Sequence, residues 1–337
     1  MIFSNWRKRG PVLALALLVV TGCRAEGEQG ADVAKGPIVV LAAGSLARPM
    51  RAALDSFSAR SGVGYTLESA GSLELARRFT ELGKSADVLA LADEDVFPKL
   101  LMPRYVTWYA RFARNRLVLA HRDAATGIAR VNDGAWRQVL TEPGVEVGRA
   151  DPDLDPAGYR TLLLFQLAEG HFAQPGLARA LEASAPKRHV RPKSAELVAL
   201  VQAGELDYAW MYESSARGAR LPFVTLPSEI DLGDEARAAQ YELARVRVLG
   251  AQMGDTIEML GAPIRYGLSI PVGAQHPSAA QAFLSFLYSA DGQRVLRQEF
   301  LDATGAPRFV GTGVPPELRA LADTVAVSPG APGAAAH

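Results

Sequence analysis

Two short turns carry the first chemistry legible in this chain. Gly44-Ser45-Leu46 and Gly71-Ser72-Leu73 each follow a strand-like segment and each precede a segment of helical periodicity. The first residues of a helix present unpaired N–H groups and a partial positive charge, which together make a ready anion site. A serine at such a turn adds a hydroxyl donor, or merely caps the helix. Ser45 and Ser72 are therefore the first candidates for holding an anion. Cys23 is the second chemical signal. It is the only cysteine, so a disulfide within the chain and a multi-cysteine metal site are both excluded. It follows Arg7, Lys8 and Arg9, then an apolar run over residues 11–20, then Val20-Thr21-Gly22. That run is too short to span a bilayer. The pattern resembles a bacterial lipobox, whose cysteine is lipidated and becomes the first mature residue.

Other residue types exclude function classes. The five histidines have no metal-ligand spacing, and no serine lies in a nucleophile-elbow motif, so no catalytic constellation is visible. Lys+Arg and Asp+Glu number 36 each, and no nucleic-acid motif occurs. Cleavage before Cys23 removes three cations and leaves a formal charge of −3. An anion must then be held by local donors, not by the overall field. Tyr208 and Tyr212 share a strand face, as in a tyrosine pair for ferric ion, but no further ligand accompanies them. Trp108, Tyr109 and Trp210 read as core, and Lys187-Arg188-His189 as a solvated turn.

The elements that must position these residues alternate between strand and helix. Residues 38–43, 65–68, 86–91 and 116–121 read as strands, with helices over 46–60 and 73–82. Residues 145–150, 207–212 and 265–271 read as further strands. Helices are expected over 158–169 and 196–203, and a helix pair over 277–300 is expected to break at Asp291-Gly292. Residues 229–242 read as a charged peripheral loop and helix, with Asp255 and Glu258 at the surface. Residues 24–36 read as a polar tether and the Ala/Pro/Gly-rich end as a disordered tail. The class is α/β with mostly parallel sheets, whose ligands sit beyond the strand carboxyl ends.

Five blocks, in order, resemble the periplasmic molybdate/tungstate-binding proteins of ABC importers. They are Leu41-Ala42-Ala43-Gly44-Ser45-Leu46; Ser69-Ala70-Gly71-Ser72-Leu73; Asp151-Pro152-Asp153-Leu154-Asp155-Pro156-Ala157-Gly158-Tyr159-Arg160; Gly204 through Ser214; and Tyr266-Gly267-Leu268-Ser269-Ile270-Pro271. The Asp-Pro-Ala-Gly-Tyr-Arg stretch is the most specific and is similar to the tungstate-type branch. The resemblance implies a type II periplasmic binding fold, with two lobes closing on the anion in the cleft between them. Lobe one would hold residues 37–117 and 265–322, and lobe two residues 118–264. Residues 1–22 would be a lipoprotein signal peptide, 23–36 the tether and 323–337 the tail.

The same resemblance carries roles onto single positions. Ser45 and Ser72 match hydroxyl ligands, Ala157 a backbone N–H donor, Tyr212 a tyrosine at the site, and Ser194 a further main-chain donor. Asp155 and Glu213 match carboxylates that approach the metal atom of the oxyanion. A carboxylate should repel a dianion, but molybdenum or tungsten can expand from four ligands towards six, whereas sulfur in sulfate cannot. The pair would thus select against anions lacking an expandable centre. The implied protein is a lipid-anchored, periplasmic or cell-surface binding protein. It is monomeric, has no cofactor and no catalytic role, and partners an inner-membrane permease. Capture of sulfate or thiosulfate, or a ligand-sensing module of the same fold, are the alternatives.

Overall fold

The computed structural model describes residues 36–250 and 254–325. The expected signal peptide, Cys23, nearly all of the tether and the end of the tail lie outside these residues. Thirteen strands are present: β1 Ile38–Ala43, β2 Tyr65–Ala70, β3 Val88–Leu91, β4 Trp108–Arg114, β5 Leu117–His121, β6 Val147–Ala150, β7 Val190–Arg191, β8 Tyr208–Tyr212, β9 Phe223–Thr225, β10 Arg245–Leu249, β11 Thr256–Leu260, β12 Arg265–Ser269 and β13 Asp302–Gly311. They form a six-stranded sheet in the order β13-β4-β12-β3-β1-β2, a five-stranded sheet β7-β6-β8-β5-β9, and the hairpin β10-β11.

The apolar runs are where burial demands them. β3 and β8 are buried along their whole length, and β1 along all but one residue. Each is flanked by strands on both sides and covered on both faces, which removes any polar alternation. The helix Ala47–Ser61 buries Met50, Ala53, Leu54 and Phe57. The Phe57 ring packs at a tilt 5.4 Å from that of Phe283 in the neighbouring helix Pro277–Tyr288. That helix and Ala290–Gln298 are separated at Ser289, two residues before the expected break. The Ser289 hydroxyl accepts the Gly292 N–H at 3.2 Å and starts the second helix. The helix Pro156–His171 is buried on nearly every face.

The sheets are mixed rather than mostly parallel. β1 pairs in parallel with β2 and β3, and β6 with β7 and β8. β12, β4 and β13 join antiparallel, as do β5, β8 and β9. The chain passes between the sheets twice: only Asn115 and Arg116 separate β4 of one sheet from β5 of the other, and residues 261–264 carry the chain back from the β10-β11 hairpin into β12. The helix Pro316–Val325 reaches into the segment expected as tail.

Candidate functional site

Four strands end in turns that each start a helix. β1 leads through Gly44–Leu46 to Ala47–Ser61, and β2 through Gly71 to Ser72–Glu81. In the other sheet, β6 leads through Asp155 to Pro156–His171, and β7 through Lys193 to Ser194–Gln202. The turns of the two sheets touch. A Cβ added at Gly71 would lie 2.1 Å from the Leu154 carbonyl oxygen and 3.1 Å from the Asp155 Cα. One added at Gly44 would lie 3.4 Å from the Lys193 Cβ. Gly71 thus permits a close approach of backbone to backbone, whereas Gly44 lies in ordinary van der Waals contact with the Lys193 side chain. Four helix N-termini are therefore brought to one place, the arrangement that favours an anion.

Asp155 lies at its centre and is 3% exposed. Its Oδ1 accepts the Ala157 N–H at 2.9 Å and its Oδ2 the Ser194 N–H at 2.8 Å. One carboxylate therefore caps two helices. Burial pushes its pKa up, and the two backbone bonds only partly oppose this. The structure thus brings Asp155, Ala157 and Ser194 together. The Ser194 hydroxyl is fully buried beside that carboxylate, yet meets hydrogen-bond geometry to no described group.

Neither candidate serine caps its helix. The buried Ser72 is the first residue of its helix, and its Oγ accepts the Ala92 N–H at 3.0 Å. Ser45 Oγ lies 3.1 Å from the Tyr266 hydroxyl. It also lines a cavity of about 210 Å³ with Gly44, Arg48, Ala195, Val198 and Ser214, between the turns of the two sheets. Tyr212 ends β8, fully buried, with its ring 5.7 Å from that of Tyr266. Burial raises its pKa well above the usual phenol value. Tyr208, at the other end of β8, donates to the Thr126 carbonyl at 2.8 Å. At about 3.3 Å per strand residue the two Cα atoms are about 13 Å apart, and the two phenols hydrogen-bond different groups.

Glu213 is placed differently. Its Oε2 accepts from Arg116 Nε and its Oε1 from Arg217 Nε at 2.5 Å. Burial raises its pKa, but the two guanidinium bonds outweigh that and hold it below the usual value. It lines a cavity of about 350 Å³ with Arg114, Arg116, Ser214 and Asp302. No hydrogen bond or ion pair among the described residues joins it to Asp155. Among these residues no group of three metal-ligating side chains occurs either. A cavity of about 380 Å³ bounded by Arg111, Arg114, Arg265 and Arg308 lies on the outer strands of the larger sheet, away from these turns, where ion pairs to Glu94, Glu235 and Asp302 engage three of the four arginines.

Sequence reasoning missed the layer behind the hydroxyls. Arg160 is 4% exposed and donates to the Tyr212 hydroxyl at 2.8 Å and to the Ala92 carbonyl at 2.5 Å, with Asp93 at 3.2 Å. An arginine in the first turns of a mainly apolar helix was the available signal, because a buried cation requires partners. Asn115 bonds the Tyr266 and Ser214 hydroxyls at 3.0 and 2.7 Å. Its flanking arginines gave no hint of that. Two further arginines strap the rim. Arg48 donates to the Gly218 carbonyl at 2.5 Å, and Arg77 to the carbonyls of Asp153 and, at 3.3 Å, Leu249.

Two mixed α/β sheets whose strand-end turns meet over a polar centre define the periplasmic-binding-protein architecture. The sulfate-binding protein SubI from Mycobacterium tuberculosis H37Rv shares it, with a TM-score of 0.56 at 17% identity over 86% of this chain and 91% of that one. This chain belongs to the bacterial extracellular solute-binding protein family, which it matches over residues 38–301. It is 35% identical to an uncharacterized solute-binding protein of Petrotoga mobilis over 84% of this chain and 88% of that one. It is 31% identical to the molybdate/tungstate-binding protein WtpA of Pyrococcus abyssi, over 92% and 96% respectively. The family is one of extracellular binding proteins and not of enzymes.

Proposed function

We propose that this protein captures molybdate or tungstate between the two sheets and delivers it to an ABC permease. The observation that carries this reading is the convergence of four helix N-termini about the buried N–H donors of Ala157 and Ser194, both now held by the Asp155 carboxylate. The relative named for molybdate and tungstate supports the choice of anion. On this reading Ser45, Ser72 and Tyr212 donate hydroxyls, and Ala157 and Ser194 donate backbone N–H groups. The Asp155 carboxylate holds those two N–H groups in the structure described. When the anion's oxygens take them over, the freed carboxylate turns to the metal atom. Glu213 supplies the second carboxylate and must release Arg116 or Arg217 to do so. The two lobes, 37–117 with 265–322 and 118–264, close about the two crossings of the chain. The protein works as a monomer, anchored through a lipid on Cys23.

Calorimetric titration of the purified protein with molybdate, tungstate, sulfate and phosphate tests the reading. Tight binding of molybdate or tungstate, with sulfate much weaker, is the expected result. Preference for sulfate overturns it and favours a sulfate-type binding protein.

A further inference from the structure

We infer that Asn115 and Arg160 are positioning residues that fix the polarity of the site, turning its hydroxyls into donors towards the ligand. The inference rests on the anion-binding reading above and names residues that reading does not use. The orientation of the Asn115 amide is set by its neighbours. Its Oδ1 accepts the N–H of Arg116 at 3.0 Å and that of Ser214 at 3.4 Å. A backbone N–H can only donate, so the other amide atom is the NH₂. That NH₂ donates to the Tyr266 hydroxyl at 3.0 Å. Having accepted there, Tyr266 satisfies Ser45 Oγ, 3.1 Å away, by donating to it. Ser45 has then accepted a bond from behind, and its own hydrogen is left for the cleft.

The other two hydroxyls are treated the same way. Arg160 has donors only, and one of them meets the Tyr212 oxygen at 2.8 Å. The Tyr212 hydrogen must point elsewhere. Ser72 Oγ accepts the Ala92 N–H at 3.0 Å, and the carbonyl of the same Ala92 accepts from Arg160. Three hydroxyls thus each receive a hydrogen from an obligate donor or a relay that ends on one. Burial raises the pKa of Tyr266 and of Tyr212, which keeps both phenols protonated and the relays intact at neutral pH. A fully deprotonated oxyanion accepts at every oxygen, so a donor-only set of hydroxyls matches it. The relay sits outside the ligand's reach and acts through Ser45 and Tyr212.

Asn115→Asp tests the first relay. It keeps the shape and both backbone bonds but replaces the NH₂ by an acceptor. Tyr266 then donates to residue 115, and the Ser45 hydrogen is drawn backwards onto Tyr266. Titrations compare wild type, Asn115→Asp, Ser45→Ala and the double variant, with molybdate, tungstate and sulfate as ligands. The expected result is at least a tenfold loss of affinity in Asn115→Asp that shrinks to under twofold in the Ser45→Ala background. A loss of equal size in both backgrounds means a general effect of the added charge, and overturns the relay. Unchanged affinity in Asn115→Asp overturns it as well. Tyr266→Phe, with folding checked by thermal melting, should show the same dependence on Ser45 without adding charge, so it decides the matter if Asn115→Asp does not fold. If wild type binds sulfate alone, the choice of anion above fails while the relay is still read out on sulfate. If it binds none of the three, both fall.

Discussion

A single carboxylate that caps two helices, Asp155, is the residue on which most of this site's chemistry turns. On the proposed reading it stands where oxyanion oxygens would go, because the groups it accepts from are the donors an anion needs. Placing it beside a bound dianion in a poorly solvated cleft is unfavourable by simple Coulomb repulsion. Donation to an electron-poor metal atom offsets that for molybdate and tungstate only. Asp155→Asn and Glu213→Gln should therefore weaken both of those anions and leave sulfate affinity unchanged or raised. An equal loss for all three anions, measured by titration, would assign the carboxylates to the shape of the cleft. Ser45→Ala and Ser72→Ala should each cost about 1.5–3 kcal/mol of binding, the range for a hydrogen bond to a charged group. Ser72→Ala also leaves the buried Ala92 N–H without its acceptor, so its melting temperature should fall, whereas that of Ser45→Ala should stay close to wild type. Of the residues proposed for the site, the two serines stand out in the sequence because Gly-Ser turns advertise them within a few positions, and Asp155 stands out through the resemblance of its Asp-Pro-Ala-Gly block. Asn115 does not, since its partners Ser214 and Tyr266 are 99 and 151 residues away, and no local pattern reports a contact of that range.

Among the elements, the turns control closure. Gly71 has φ −63° and ψ 147°, angles any residue adopts. Only the Leu154 carbonyl, 2.1 Å from an added Cβ, forbids a side chain there. Gly71→Ala should consequently hold the turns apart. A loss of anion affinity of tenfold or more, with little change in thermal stability, is the expected signature; wild-type affinity would show that the turns can slide past each other. A second element-level device is Asp87, which ties β1 to the start of the helix Pro277–Tyr288. It accepts from Val39 N at 2.9 Å, and from His276 N at 2.7 Å and Nδ1 at 3.2 Å. Burial raises its pKa, but these bonds outweigh burial and hold it below the ordinary 3.8. A depressed carboxyl contributes stability that is present above its ordinary pKa and is lost as pH falls through the depressed value. Asp87→Asn should lower the melting temperature at pH 7, and the gap to wild type should narrow below pH 3.8. A gap that is constant with pH would contradict this. The central strands were readable because burial on both faces leaves unbroken apolar runs. β13 was not, because Gly305 and Pro307 interrupt it and its pairing with β4 shifts register there. The β10-β11 hairpin was overlooked although Arg245-Val246-Arg247-Val248 alternates, exposed arginines against the half-buried Val246 and the buried Val248.

At the scale of the whole molecule, the chain belongs to an extracellular family, and a lipid on Cys23 is the proposed anchor. Cys23→Ser should move the protein from the membrane fraction to the soluble one. Unchanged fractionation would exclude lipid on that residue. The rim straps add a consequence of another kind. Arg48 and Arg77 reach across from one sheet to main-chain carbonyls at Gly218, Asp153 and Leu249 in the other half. Such bonds form only after the halves meet, so they leave the rate of capture untouched and lengthen the dwell time of the cargo. They grip backbone rather than side chains, so substitutions on the far side leave the grip in place. If the protein captures an anion as proposed, the length of time that anion stays inside is thus set by two residues that never touch it, and opening the straps sets the moment of release.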